Sequence, residues 1–424
     1  MATGGEPTRK GIDMAEAESH GIVIVGGGIC GLATALGLHR KGIASLVLEK
    51  SEVLRAEGAG IGVQANGWRA LEQLGVAAEL RKTAGLITAY QDVWLQGDKS
   101  TRDRYPVRTE LRCLNRKDLI EALAKDLPAG AIRFGCRIAA VHADPGGHGA
   151  VLTMADGATM KAKVLIGCDG GTNSVVAKYL GLPPVRTIPR PVLRGFTGYP
   201  HGHPFENEFL RLRVGDFFIG RLPITDNLVH FFVTMAKPAA DEGLTGGDLR
   251  GVRDLVLRDL EELQCPTEIT EVVRRSDPES LNLVTNFWYR PPWEVALRGF
   301  RRGAVTVAGD AMHAMGPFIG QGGSAGLEDA VVLARSLARA VGAAATAGDD
   351  SKPPREEDAV VGEALGAYVR ERRLRLTLLS LESFIMGVLL VRSPSPAVKL
   401  ACVAVLVLLG SKSLRHANFD CGRL

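Results

Sequence analysis

The stretch Ile22-Val23-Ile24-Val25-Gly26-Gly27-Gly28-Ile29-Cys30-Gly31-Leu32 decides the fold. Its four consecutive β-branched residues read as a short strand buried on both faces, the pattern of a parallel sheet. Three glycines follow at once, then residues 32–40 place apolar side chains at helical spacing as far as Gly42. Residues 44–48 form a second apolar strand, closed by Glu49. Strand, glycine turn, helix and strand make one βαβ unit of about thirty residues. Within it, Gly26-x-Gly28-x-x-Gly31 meets three demands of a dinucleotide site: a tight turn, close approach of backbone to pyrophosphate, and close packing of helix on strand. Glu49 stands where a carboxylate accepts hydrogen bonds from an adenosine ribose, and the helix beginning near Ile29 aims its positive end at the phosphates. NAD and FAD satisfy this unit equally well.

Outward from the unit, the 424 residues carry 51 Lys+Arg and 47 Asp+Glu, a net charge of +4 with no run of like charges that would mark a nucleic-acid arm. With 46% hydrophobic and 23% charged residues, the chain has core enough for two or three lobes, and neither disorder nor a fibre fits. Fifty-one glycines against 5% aromatics favour a fold of tight turns. The seven cysteines lack C-x-x-C or any Cys/His metal spacing, so reduced thiols, an intracellular (cytoplasmic) setting, no structural disulfide and no metal are expected. Residues 1–20 read as a disordered start without targeting character. Residues 400–410 (LACVAVLVLLG) are apolar but about half the length of a membrane span, and read as a buried or protein-docked helix, with peripheral membrane contact as the alternative.

Further helices are expected at 68–80, 117–127, 246–263 and 324–341, and short buried strands at 164–167 and 304–308. Between them, 185–235 alternates apolar and polar residues with many Pro and Gly, as in an antiparallel sheet. The expected layout is α/β: a Rossmann-like binding lobe over 21–184 and 296–342, an inserted, mostly antiparallel β-sheet substrate lobe over 185–295, a flexible loop at 343–358, and a C-terminal helical region over 359–424.

Two later segments discriminate between the dinucleotides. Cys168-Asp169-Gly170-Gly171-Thr172-Asn173-Ser174 follows a buried strand, and Gly309-Asp310-Ala311-Met312-His313 is followed by Pro317 and Gly320-Gln321-Gly322-Gly323. With the first fingerprint they resemble the flavoprotein aromatic hydroxylases, single-component FAD-dependent monooxygenases that include salicylate and hydroxybenzoate hydroxylases, and in particular their plant branch, similar to the flavin domain of zeaxanthin epoxidase. The resemblance runs from about Gly21 to Ala340. It implies FAD as cofactor and NADPH or NADH as co-substrate docking transiently, since no second Gly-rich fingerprint is visible. It further implies O2 addition to give a flavin C4a-hydroperoxide, and oxygen transfer to a small aromatic or unsaturated substrate. By the same resemblance Asp310 binds the flavin ribityl chain, Asp169 and Gly170 support FAD and the nicotinamide, and Arg116, in Leu114-Asn115-Arg116-Lys117-Asp118-Leu119, contacts the cofactor. Arg55 matches a family position at the flavin edge, with a solvated surface Arg as the equal alternative.

The residues themselves agree at the flavin. A turn through Gly320, Gly322 and Gly323 that opens a helix presents free N–H groups and a positive end to the charge that reduced flavin develops. Pro317 either fixes that turn or merely stops the preceding strand. His313 reads as cofactor-wall packing in preference to a catalytic base. Three departures from the family stand out: Ser174 comes one residue late after the Asp-Gly pair, Ala177-Lys178 replaces the usual Arg linked to NADPH, and Ser324 replaces an Asn while keeping a hydroxyl for the flavin. Substrate contacts are expected from Phe217, Phe218, Arg221, Pro223, His230 and Phe232, although the two-residue period leaves their facing open. Two other readings keep FAD: a dehydrogenase or reductase acting on an apolar substrate, and a low-turnover flavin-binding protein acting through partners. Substrate identity and oligomeric state stay open.

Overall fold

The computed structural model describes residues 18–54, 59–97, 99–147, 149–236, 247–346, 354–391, 395–413 and 416–424. Its strands are β1 (Glu18–Val25), β2 (Leu46–Leu48), β3 (Gly60–Gln64), β4 (Gly85–Leu86), β5 (Ala89–Gln96), β6 (Lys99–Pro106), β7 (Leu111–Asn115), β8 (Ile132–Arg133), β9 (Ile138–Ala143), β10 (Ala150–Met154), β11 (Thr159–Gly167), β12 (Arg186–Gly198), β13 (Glu208–Val214), β14 (Phe217–Thr225), β15 (Leu228–Thr234), β16 (Asn282–Tyr289), β17 (Arg301–Arg302) and β18 (Val305–Val307). The helices are α1 (Ile29–Arg40), α2 (Ala65–Leu74), α3 (Ala77–Thr83), α4 (Arg116–Lys125), α5 (Val175–Tyr179), α6 (Leu249–Glu262), α7 (Thr267–Arg274), α8 (Pro292–Leu297), α9 (Asp310–His313), α10 (Gly322–Thr346), α11 (Pro354–Val391) and α12 (Pro396–Ser413).

One sheet has the order β17-β18-β11-β1-β2-β8, parallel from β18 to β8, with β9 and β10 as an antiparallel arm on β11. Ile24, Val47 and Ile166 are fully buried within it, which is why these strands read as unbroken apolar runs. The second sheet is ordered β16-β12-β15-β14-β13-β5-β6 and is antiparallel except for β13 on β5. Its last two strands on one side, β5 and the edge strand β6, come from residues 89–106, ahead of the 185–295 segment. Helices α6 and α7 cover its outer face through Val252, Val256, Ile269 and Val273, which pack with Leu193, Leu210, Ile219 and Phe231. Its inner face meets the small sheet β3-β7-β4 through Phe196, Leu222, Ile224 and Cys113.

Several expectations need correction. Glu18–His20 are not disordered: they pair with Met160–Ala162, and Glu18 bonds Arg133. The helix expected over 68–80 is two, because Gly75 sits in the left-handed region (φ 79°) and ends α2. Residues 343–358 are entered by α10 as far as Thr346 and by α11 from Pro354, while 347–353 lie outside the described residues. The apolar C-terminal segment is helical but not buried: Leu400 and Val407 are each 72% exposed on α12. No helix among the described residues is long and apolar enough to cross a membrane.

Candidate flavin site

The turn between β1 and α1 is built for glycine. Gly26 has φ +107°, and a Cβ there would stand 2.3 Å from the Cys168 carbonyl oxygen; one on Gly31 would stand 1.9 Å from the Gly26 oxygen. Those contacts press α1 and β11 onto the turn. Gly28, by contrast, has open space where a Cβ would go, and it precedes the first residue of α1 without giving it a side-chain cap. The first-turn N–H groups therefore face an open groove, the arrangement that receives phosphate. Glu49 is buried and accepts from Gly27 N (2.8 Å) and Ser51 N (2.9 Å), so it braces the turn.

On the neighbouring strand end, Asp169 turns away from this groove. Its carboxylate accepts from Ser174 Oγ (2.5 Å) and Val175 N (2.7 Å), capping α5; burial raises its pKa against the pull of those bonds. The later Ser174 thus still reaches Asp169, and its hydroxyl accepts from Ala177 N. Gly170 has φ +85° and open space beside it. Asp310, at the start of α9, is exposed, and no partner for its carboxylate occurs among the described residues. Pro317 begins a short turn of 3-10 helix, and Gly320 closes it with φ +62°. Gly322 opens α10, while a Cβ on Gly323 would lie 2.9 Å from Ile61 of β3. Gln64 Nε2 donates to Ile319 O at 3.0 Å, tying β3 to this turn. Ser324 does not face the groove; it is buried against Gly67, with its Oγ unpartnered.

Beneath the two loops lies a buried charged network. Asp329 Oδ2 accepts from Gly309 N (3.0 Å) and contacts His313 Nε2 (2.6 Å), and its Oδ1 accepts from Arg372 Nε (2.7 Å). Burial alone would raise the Asp329 pKa; the charges of His313 and Arg372 outweigh it and hold the carboxyl down at about 2. Arg372 also donates to Glu328 (2.6 Å), and Glu328 accepts from Asn66 (2.6 Å) and Arg375 (3.0 Å). Asn66 in turn donates to Gln321 of the glycine turn at 2.8 Å. The C-terminal segment closes the network, with Phe419 against the guanidinium groups of Arg372 and Arg375 and the His416 carbonyl accepting from Arg375. His313 is wholly buried in this network, so it lies behind the groove and is not part of its wall.

The inner face of the second sheet presents Arg194, Phe196, Phe218, His230 and Phe232, by strand alternation and register. His230 lies against β3, since a Cβ on Gly60 would stand 2.7 Å from its ring. Its Nδ1 lies 2.9 Å from the Gly195 oxygen, and burial, then the charge of Arg194, presses its pKa down to about 4. Arg194 donates to Asn282 at 3.0 Å and feels the charge of Arg116, which begins α4 behind the Asn115 cap. Neither arginine is paired with a carboxylate among the described residues. Phe217, Arg221 and Pro223, expected near substrate, point to the other face by the same alternation. Arg55 lies outside the described residues.

Arg194, Asn66 and Arg372 were not singled out in the sequence, while Gln321 and the Glu328-Asp329 pair stood in the segment that carries the family resemblance without a role of their own. Two adjacent carboxylates in the first half of α10 were the available signal, since buried carboxylates demand partners. The unpartnered Asp310 carboxylate, the open glycines 28 and 170 and the uncapped α1 N-terminus together fit FAD. Among the described residues no cluster fits a metal ion.

Comparison with known proteins agrees. The model of the FAD binding domain family matches residues 20–193 and 256–351. Monooxygenase 1 of Arabidopsis thaliana is 47% identical over 96% of this chain and its own full length, and Monooxygenase 2 is 36% identical over 97% and its full length. The crystal structure of Klebsiella pneumoniae HpxO with FAD and uric acid has the same fold, with a TM-score of 0.72 at 20% identity over 94% of this chain and 96% of that one. The chain belongs to the FAD binding domain family and is an FAD-dependent monooxygenase.

Proposed function

We propose that the protein uses NADPH or NADH and O2 to insert one oxygen atom into a small, electron-rich aromatic or unsaturated substrate that carries negative charge. Bound FAD supplies the redox chemistry, accepting electrons from the nicotinamide and activating O2. The chain's residues bind, orient and shield. Free N–H groups at the start of α1 hold the pyrophosphate, Glu49 the ribose, Asp310 the ribityl hydroxyls, and the turn through Pro317, Gly320, Gly322 and Gly323 lies along the ring system. Arg116, Asp169 and Gly170 complete the cofactor set, Asp169 by fixing the loop that it caps.

The observation that carries the substrate class is the pair Arg194 and Arg116, without carboxylate partners among the described residues, beside an aromatic wall. His230, whose pKa is held near 4, is a neutral ring at ordinary pH and leaves that positive field to a substrate anion. Hydroxybenzoate-type names among relatives accord with this, such as the 3-amino-4-hydroxybenzoate 2-monooxygenase of Streptomyces platensis, 30% identical over 75% of this chain and 80% of its own length. Exposed Leu400, Val403 and Val407 on α12 support peripheral contact with a membrane surface. The seven unpaired cysteines accord with a cytoplasmic setting.

The test is oxidation of NADPH and of NADH by the FAD-loaded protein under air, across a panel of phenolic acids with matched uncharged phenols, while peroxide is measured. Acid-stimulated oxidation with little peroxide is expected. Bound FAD that no nicotinamide reduces would overturn the reading in favour of a low-turnover flavin protein. Turnover without O2 uptake would favour a dehydrogenase.

A further inference from the structure

The outer face of the second sheet carries a separate cavity of about 330 Å³, rimmed by β5, β6, β14, the 204–208 loop and the first turn of α7. Arg221 is its innermost cation. It is only 3% exposed, yet its Nε and Nη1 have no hydrogen-bond partner among the described residues. The nearest carboxylate oxygen, Glu268 Oε2, is 3.7 Å from Nη1: within ion-pair range, beyond hydrogen-bond range. The other carboxylates of the rim are engaged elsewhere. Glu206 (2.7 Å) and Glu208 both accept from Arg104, and Glu268 Oε1 accepts from Arg102 at 3.0 Å.

A guanidinium does not shed its proton at physiological pH, so burial without hydrogen bonds leaves donors that call for an acceptor. The group is also held ready. The guanidinium carbon lies 3.7 Å from the centre of the Phe205 ring, which stacks on His203 (5.7 Å between centroids, 22°), whose two ring nitrogens are likewise buried and have no hydrogen-bond partner among the described residues. Arg221 and Phe205 both line the cavity, so the cation and the ring beneath it belong to one wall.

We propose that this cavity is a second ligand site, distinct from the flavin groove, that binds the oxyanion of a small carboxylate or phosphate compound through Arg221, with Arg102 and Arg104 at the rim. Glu206, 75% exposed, is the carboxylate that yields: its pair with Arg104 is a surface contact of small worth, and release into water leaves Arg104 for the ligand. Oxyanion oxygens on the arginines then supply charge-assisted hydrogen bonds.

The experiment uses the FAD-loaded full chain and its R221M variant, with inorganic phosphate and benzoate as separate probes, read by calorimetric titration and by the flavin absorbance spectrum. Methionine keeps the stem's packing and removes the charge. Saturable binding of one probe that leaves the flavin spectrum unchanged and weakens at least tenfold in R221M is expected, and the probe that binds tells a phosphate from a carboxylate ligand. Equal affinity in both proteins, or no binding of either probe, overturns the proposal. Should R221M fold poorly, as judged by FAD retention, R104Q at the exposed rim takes its place; it is expected to weaken the same probe at least threefold, and an unchanged affinity is the refuting result.

Discussion

Replacing Arg372 with methionine tests whether the buried network holds the flavin loops in place. The change strips one charge partner from Asp329, leaving His313, and one from Glu328, both carboxylates being wholly buried. Breaking a buried pair from one side costs about 3–5 kcal/mol. With roughly 2.1 cal/mol/K of unfolding entropy per residue, 424 residues give about 0.9 kcal/mol/K, so Tm should fall by about 3–6 °C. Because Asp329 also holds Gly309 N, and Glu328 reaches Gln321 through Asn66, FAD should dissociate faster as well. Circular dichroism melts of apo and loaded protein, with flavin fluorescence for retention, give both readings. The double variant R372M/D329N should recover part of the loss, since it removes the stranded charge. An R372M melt within 1 °C of the parent, or a double variant as poor as the sum of its parts, would refute the reasoning.

Three further outcomes are expected. Gly31→Ala puts a methyl 1.9 Å from the Gly26 oxygen and should abolish FAD retention, checked by the absorbance of the purified protein. Asp310→Ala should weaken FAD binding at least tenfold while leaving the apo melt unchanged, because the carboxylate is exposed and contributes nothing to the folded chain by itself. His230, with a folded pKa near 4 against 6.5 unfolded, binds its proton more readily in the unfolded chain. The stability it represents is whole above pH 6.5 and is lost as pH falls toward 4, up to about 3 kcal/mol, and His230→Gln should flatten urea-derived stability across that window.

Local chemistry determined a good deal of this protein from the sequence alone. The first βαβ unit was legible because its constraints are covalent neighbours: four β-branched residues, glycines at positions where a Cβ collides, and Glu49 at the next strand end. The Asp-Gly and Gly-Asp loops were legible for the same reason, each having a glycine within three residues of the end of a buried apolar strand. The break at Gly75 was missed because the apolar spacing of 68–80 runs on past it, and only a positive φ ends the helix.

Tertiary structure decided what lies across space. Strand alternation put Arg221 and His230 on opposite faces of one sheet, since a period of two fixes that alternate residues share a face but leaves open which face is inward. It paired β5 with β13, strands more than a hundred residues apart, and it gathered Asn66, Asp329 and Arg372 from three helices into one network. Each of these polar groups is an ordinary surface residue by composition. Its meaning comes from burial, where an unpaired charge is too costly to persist and a partner from a distant segment must be brought to it.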